Sequence, residues 1–341
     1  MPKIIVSRFI RMSAKIVLKI FEYIILINLS ILITYKLTTD YYLFQTNSSL
    51  EEFASNIEDY YVDLHEHTNE SFQCIRTKTL LNQYNTTICV YNTSDDDDDT
   101  DISSSIIRDG IWEEELVIRF LRIFSRYPQL AFFDIGADLG VYTMYAAASD
   151  CSNIIAIEYF QPNIERIRRA IQIEHVQSRV VLIQRIIYDQ SNIYLSLRIN
   201  IMNTLDSQRI NSDVSLNVHD PFMVKTIRFD DLLSLVQQRH IQEAIIKIDI
   251  EGFEDYFCQS SETIFNEINI QMILMKWTII QQTSEKAKFV RDFLLDHKYV
   301  PLNPLTCEKQ SEINYLHWNL YDIFWVKQNY TYLCEPDKRI L

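Results

Sequence analysis

The stretch Ala131-Phe132-Phe133-Asp134-Ile135-Gly136-Ala137-Asp138-Leu139-Gly140 is a short apolar run that meets an acid and then a turn holding two glycines. Val141 to Ala148 follow in a helix-compatible pattern, so the unit reads strand, turn, helix. Upstream, Trp112, Leu116, Phe120 and Ile123 recur every three to four residues, the spacing of an amphipathic helix leading into the strand. Downstream, Asn153 to Glu158 is a second apolar run ending in an acid, and Pro162 opens a further helix with Ile164, Ile167 and Ile171 on one face. Together these predict a βαβ crossover within a doubly wound, Rossmann-like α/β sheet, with a ligand at the carboxyl ends of its strands.

Spacing then selects the ligand. A pyrophosphate needs the close backbone approach of G-x-G-x-x-G, but the second glycine position is Asp138, whose side chain and charge both oppose phosphate. An adenosine cofactor with an amino-acid tail tolerates this turn, with Glu158 accepting the ribose hydroxyls, which describes S-adenosylmethionine. The plain alternative is a loop that only turns the chain. The chain holds just four glycines, where average usage gives about 24, and three of them sit in motif positions: Gly136, Gly140 and Gly252. The third belongs to Lys247-Ile248-Asp249-Ile250-Glu251-Gly252-Phe253-Glu254, where another apolar strand, from Ala244, runs into acids. Its end is expected on the same rim as Asp134 and Glu158; the alternative is a solvated loop of charges.

These motifs resemble the FkbM family of S-adenosylmethionine-dependent methyltransferases over roughly residues 112–327. Asp134 to Gly140 matches D-x-G-A-N-x-G with Asp138 for Asn, Glu158 to Asn163 matches E-P-x-x-P-N with Tyr159 for Pro, and Lys247 to Glu254 matches K-I-D-h-E-G-x-E without a gap. Thr226 to Leu233 and the closing strand Asp322 to Trp325 fit as well. The resemblance implies a methyltransferase whose cofactor set is Asp134, Gly136, Ala137, Asp138, Gly140, Glu158 and, near the adenine, Asp189. Methyl transfer to a hydroxyl needs alignment and a base, and Asp249, Glu251 and Glu254 are the candidates. Where family members often carry an acid before Trp, this chain has Lys276-Trp277. Asp249 or Glu251 is expected to pair with Lys276 and hold it charged, so Lys276→Glu is expected to raise transfer to hydroxyls.

Charge and hydropathy organise the rest. The chain has 341 residues and a net charge of −14, against a general nucleic-acid binder. Residues 1–19 nonetheless hold five basic residues and no acid. The apolar stretch 16–35 follows, interrupted by Lys19 and Glu22, and basic residues ahead of it orient a signal anchor with its N-terminus in the cytoplasm. A cleaved signal peptide and a buried soluble helix are the alternatives. The expected organisation is a cytoplasmic tail (1–15), an anchor (16–35), a glycosylated stem (36–105) and the methyltransferase domain (106–341), a single-pass type II membrane protein of the ER or Golgi with its catalytic domain in the lumen. Glycosylation sequons at Asn47, Asn69, Asn85, Asn92 and Asn329 and the acidic run Asp95 to Asp99 fit that layout. Six cysteines allow 15 pairings; spacing points to Cys74 with Cys89 and Cys307 with Cys334. No metal site is expected. The expected acceptor is a hydroxyl, as of a glycan. The rivals are a cofactor-binding module without turnover and a Golgi glycosyltransferase that reads Asp249-Ile250-Glu251 as metal ligands.

Overall fold

The computed structural model describes residues 61–66, 71–92, 100–199, 205–209 and 222–334. The expected tail and anchor (1–35), Asn47, Asn69 and Asp95 to Asp99 lie outside these residues. Among the described residues no helix is long and apolar enough to cross a membrane.

The chain opens with a hairpin, β1 (Gln73–Arg76) and β2 (Thr87–Val90), followed by helices α1 (Thr100–Asp109) and α2 (Glu114–Arg126). The strand–turn–helix read at 131–148 is β3 (Ala131–Ile135) and α3 (Val141–Ala148), and the next pair is β4 (Ile154–Glu158) and α4 (Gln161–Glu174). Then come β5 (Val180–Gln184), β6 (Ile186–Ile187), β7 (Tyr194–Ile199), β8 (Leu205–Arg209), β9 (Met223–Ile227), α5 (Leu233–Gln238) and β10 (Glu243–Ile248). The domain closes with α6 (Glu254–Gln259), α7 (Glu262–Glu267), β11 (Asn269–Lys276), α8 (Ser284–Asp296), β12 (Tyr299–Leu302) and β13 (Asp322–Lys327).

Seven strands form the main sheet in the order β5-β4-β3-β10-β11-β13-β12. From β5 to β11 every pairing is parallel, whereas β13 runs antiparallel to both β11 and β12. Parallel strands are covered on both faces and so read as continuous apolar runs; β3 and β4 are buried along their whole length. Successive side chains point to opposite faces. Phe132 packs edge-on against Phe120 and Phe124 of α2, while Phe133 meets Phe229 on the other side. The chain winds from β3 outward to β5 and then returns to wind the other way from β10. The strand order therefore reverses between β3 and β10, where open α/β sheets bind their ligands. The β6–β9 strands build a smaller sheet in the order β6-β9-β7-β8, which periodicity did not anticipate.

Both spacing-based disulfides are present, Cys74–Cys89 and Cys307–Cys334, while Cys151 and Cys258 are free and buried. The folded body begins well before residue 106. Cys74 and Cys89 face one another directly across the hairpin, and Ile88, Cys89 and Val90 are buried in the same core as α2 and α4. Residues 71–92 and 100–105, which the sequence reading placed in a solvated stem, thus belong to the domain. Their polar sequence is the outer face of elements whose inner face is covered.

Candidate active site

Asp134, Glu158 and Asp249 lie at the carboxyl ends of adjacent strands, as expected. The turn after β3 is held by backbone bonds: the Gly136 and Ala137 N–H groups donate to the Ile157 carbonyl at 2.9 and 3.1 Å, and the Asp249 N–H to the Ile135 carbonyl at 2.9 Å. Gly136 has φ +76°, and a Cβ there would stand 1.8 Å from the Asp249 carbonyl oxygen. Only glycine fits, because the two strand ends touch through their backbones.

Asp134 is fully buried, and its Oδ2 accepts the Thr143 N–H at 3.0 Å and the Thr143 hydroxyl at 2.7 Å. It therefore ties β3 to α3. Burial raises its pKa against the opposing pull of Lys247, whose Nζ lies 4.0 Å away. Glu158 is also buried, and its carboxylate is already engaged. Oε1 accepts the Tyr159 and Phe160 N–H groups at 2.9 and 2.8 Å, and Oε2 accepts the Asp138 N–H at 2.9 Å. A carboxylate offers about four acceptor sites, so one remains, on Oε2. The two-hydroxyl grip on a ribose expected from sequence is thereby reduced to a single hydrogen bond. Burial pushes Glu158 up to about 8, against those N–H groups. Asp138 accepts the Asn163 amide at 2.8 Å, and Asn163 accepts the Tyr91 hydroxyl at 2.6 Å. Burial, opposed by Lys247, lifts Asp138 to about 6.

Asp189 follows β6, in a stretch that leaves the rim beside Glu158: the Arg185 N–H donates to the Glu158 carbonyl at 3.0 Å. Asp189 Oδ1 is buried without a hydrogen-bond partner among the described residues. Such an orphaned acceptor calls for a donor, and an adenine amino group is one. Asp189, the free site on Glu158 and the Gly136 turn together fit S-adenosylmethionine.

The acids after β10 divide into different roles. Asp249 sits between two ammoniums, Lys247 at 3.7 Å and Lys276 at 3.3 Å. Glu251 takes Lys276 at 3.2 Å. Burial works to lower the Lys276 pKa, but Asp249 and Glu251 outweigh it and hold it raised and charged, as the sequence reading expected. Lys247 follows the same balance, raised by Asp249 and Asp134 against its burial. Glu251 is raised by burial and by Asp249, with Lys276 opposing. Glu254 is different: fully buried, it accepts the Ile250 and Gly252 N–H groups at 3.4 and 3.0 Å. It pins the 250–252 loop through both of its oxygens. Sequence reasoning gave no role to Asn163, Thr143 or Glu113, although Asn163 lay inside a quoted motif. Glu113, just before α2, accepts the Tyr142 hydroxyl at 2.7 Å.

Sheet order, antiparallel β13 and an acid-lined rim at the reversal point define a Rossmann-like methyltransferase fold. Residues 134–301 match the methyltransferase FkbM domain. The protein is an S-adenosylmethionine-dependent methyltransferase, which sets aside the glycosyltransferase reading. No curated protein matches the chain. Similar solved structures include the precorrin-6y C5,15-methyltransferase of Geobacter metallireducens (14% identity, 64% of this chain and 90% of that one, TM-score 0.31). Others are the S-adenosylhomocysteine-bound methyltransferase PaMTH1 of Podospora anserina (11%, 64% and 79%, 0.36) and an O-methyltransferase of Bacillus cereus with the same ligand (10%, 61% and 80%, 0.33). These likenesses are distant and add nothing to the assignment.

Proposed function

We propose that the enzyme O-methylates a neutral hydroxyl acceptor, such as a glycan, in the lumen of the secretory pathway, as a single-pass type II membrane protein of the ER or Golgi. The observation that carries the acceptor class is the charge of the rim. Lys247 and Lys276 are both already paired with Asp249 or Glu251, so neither lysine is left over to hold a carboxylate or phosphate acceptor, while a neutral polyol needs none. Support for the compartment comes from the two disulfides, which persist in oxidising surroundings, and from the exposed sequons at Asn92 and Asn329. The basic head and apolar stretch of the first 35 residues support the anchor.

S-adenosylmethionine supplies an electrophilic methyl group on a sulfonium. Asp189 and Glu158 would hold the adenosine, and the acids around Asp134 favour the positive sulfonium end. A second reading, binding without turnover, is favoured by Lys276, which occupies Asp249 and Glu251. Calorimetry with S-adenosylmethionine, followed by radiolabelled methyl transfer to a glycan panel, separates the two. Transfer by the parent supports the enzyme. Binding without transfer in the parent, with transfer gained by Lys276→Glu at matched cofactor occupancy, supports the silent module. Glycosidase treatment should shift the gel mobility of the cellular protein; an unglycosylated chain beginning near residue 36 would remove the topology.

A further inference from the structure

We propose that Asp322 is the base that takes the acceptor's hydroxyl proton, a role for which the sequence offered Asp249, Glu251 and Glu254. This rests on the hydroxyl acceptor proposed above. Asp322 lies outside residues 134–301, the part matched by the family domain. It reaches the rim because β13 is reversed. In a sheet whose other strands end at the rim, β13 begins there, and its first residue pairs with Lys276, the last residue of β11.

The position is rigid. The Tyr321 carbonyl accepts the Trp277 and Thr278 N–H groups at 2.7 and 3.2 Å, and the Trp277 ring packs against Trp318 and Trp325 behind it. A base needs that fixity to stay aligned. It also reaches solvent: Asp322 is half-buried, which gives an acceptor a way in and the proton a way out.

Elimination points to the same residue. Asp249 is shared by two ammoniums, Glu251 by one, Glu254 and Glu158 serve backbone N–H groups, and Asp134 serves Thr143. Among the described residues the Asp322 carboxylate makes no hydrogen bond or ion pair, so its lone pairs remain available. Facing it are Glu113 before α2, Asp249 after β10, Lys247 on β10 and Lys276 on β11. Burial, then Glu113 and Asp249, push it up to about 7 against the two lysines, close to the optimum for proton transfer at neutral pH. In the step, the acceptor oxygen bonds to the methyl carbon as the carbon–sulfur bond breaks. That electron pair stays on sulfur, leaving a neutral thioether, and the hydroxyl proton passes to Asp322 and on to water.

The test compares the full chain with Asp322→Asn and Asp322→Glu. Calorimetry with S-adenosylmethionine should give affinities within threefold of the parent. Transfer of labelled methyl to methyl glycosides of mannose, galactose, fucose and N-acetylglucosamine should fall about 100-fold or more in Asp322→Asn, with partial recovery in Asp322→Glu. The parent's kcat/KM should drop tenfold per pH unit below about 7, a dependence absent from Asp322→Asn. An acceptor-free reading is the melting temperature. A carboxylate raised by folding contributes stability at low pH that is lost as pH rises through its folded value, so Asp322→Asn should flatten the parent's decline between pH 4 and about 7. Transfer by Asp322→Asn within threefold of the parent, or an unchanged melting profile, overturns the assignment. Cofactor binding without transfer in the parent also overturns it and leaves the cofactor reading standing. Failure to bind S-adenosylmethionine removes both.

Discussion

Asp249 is the acid that the motif marks most clearly, yet its environment makes it an anchor for charge. Lys247 and Lys276 approach it from β10 and β11, so its carboxylate is flanked by two ammonium groups. Its backbone is as consequential as its side chain, since the Asp249 carbonyl fills the space where Gly136 lacks a Cβ. Gly136→Ala combines a left-handed φ with a hard clash. It should lower stability by roughly 3 kcal/mol or more, read as a fall in the urea midpoint at unchanged m. A midpoint within about 0.5 kcal/mol of the parent would mean that the two strand ends are not locked.

At the scale of elements, the disulfide-closed hairpin is a prop for the cofactor turn. Tyr91, one residue beyond β2, reaches Asn163 in α4, and Asn163 reaches Asp138 in the turn after β3. Removing the hydroxyl in Tyr91→Phe leaves Asn163 Oδ1 without that donor. At about 1 kcal/mol for such a bond, the affinity for S-adenosylmethionine should weaken roughly fivefold, with the fold intact by circular dichroism. The Cys74–Cys89 bridge spans a sequence separation of 15, and closing such a loop contributes about 3 kcal/mol. Replacing both cysteines with serine should lower stability by that order and weaken cofactor binding along the same chain of contacts. A variant as stable and as tight-binding as the parent would assign the hairpin to another role.

For the whole molecule, the acids at this rim set a pH dependence. Burial raises Asp138 to about 6, Asp322 to about 7, and Glu158 and Glu254 to about 8, all above their unfolded values near 4. The folded state therefore holds protons that the unfolded chain has released, and stability present below pH 4 is lost as pH rises towards 8. The cofactor-free domain should melt roughly 5 °C or more lower at pH 8.5 than at pH 5.5. Saturating S-adenosylmethionine should narrow that difference, because a sulfonium favours the ionised rim. A melting temperature that rises over this range would contradict the burial of these carboxylates.

Local pattern was enough for the strand–turn–helix at 131–148, the following βαβ crossover and the three acids at strand ends. Each depends on residues close in sequence: apolar runs for buried strands, a proline in the first turn of α4, glycine where φ is positive. Spacing likewise pointed to both cysteine pairs. The use of each acid was decided elsewhere. Glu158 and Glu254 are taken up by backbone N–H groups of their own loops, with the Asp138 N–H reaching Glu158 from the turn after β3, whereas the charged groups around Asp322 come from segments far away in the chain. The reversal of β13 is the clearest case. Asp-Ile-Phe-Trp reads as a buried strand in either direction, because a period of two has no polarity. Only packing β13 antiparallel between β11 and β12 brings Asp322 to the rim beside Lys276.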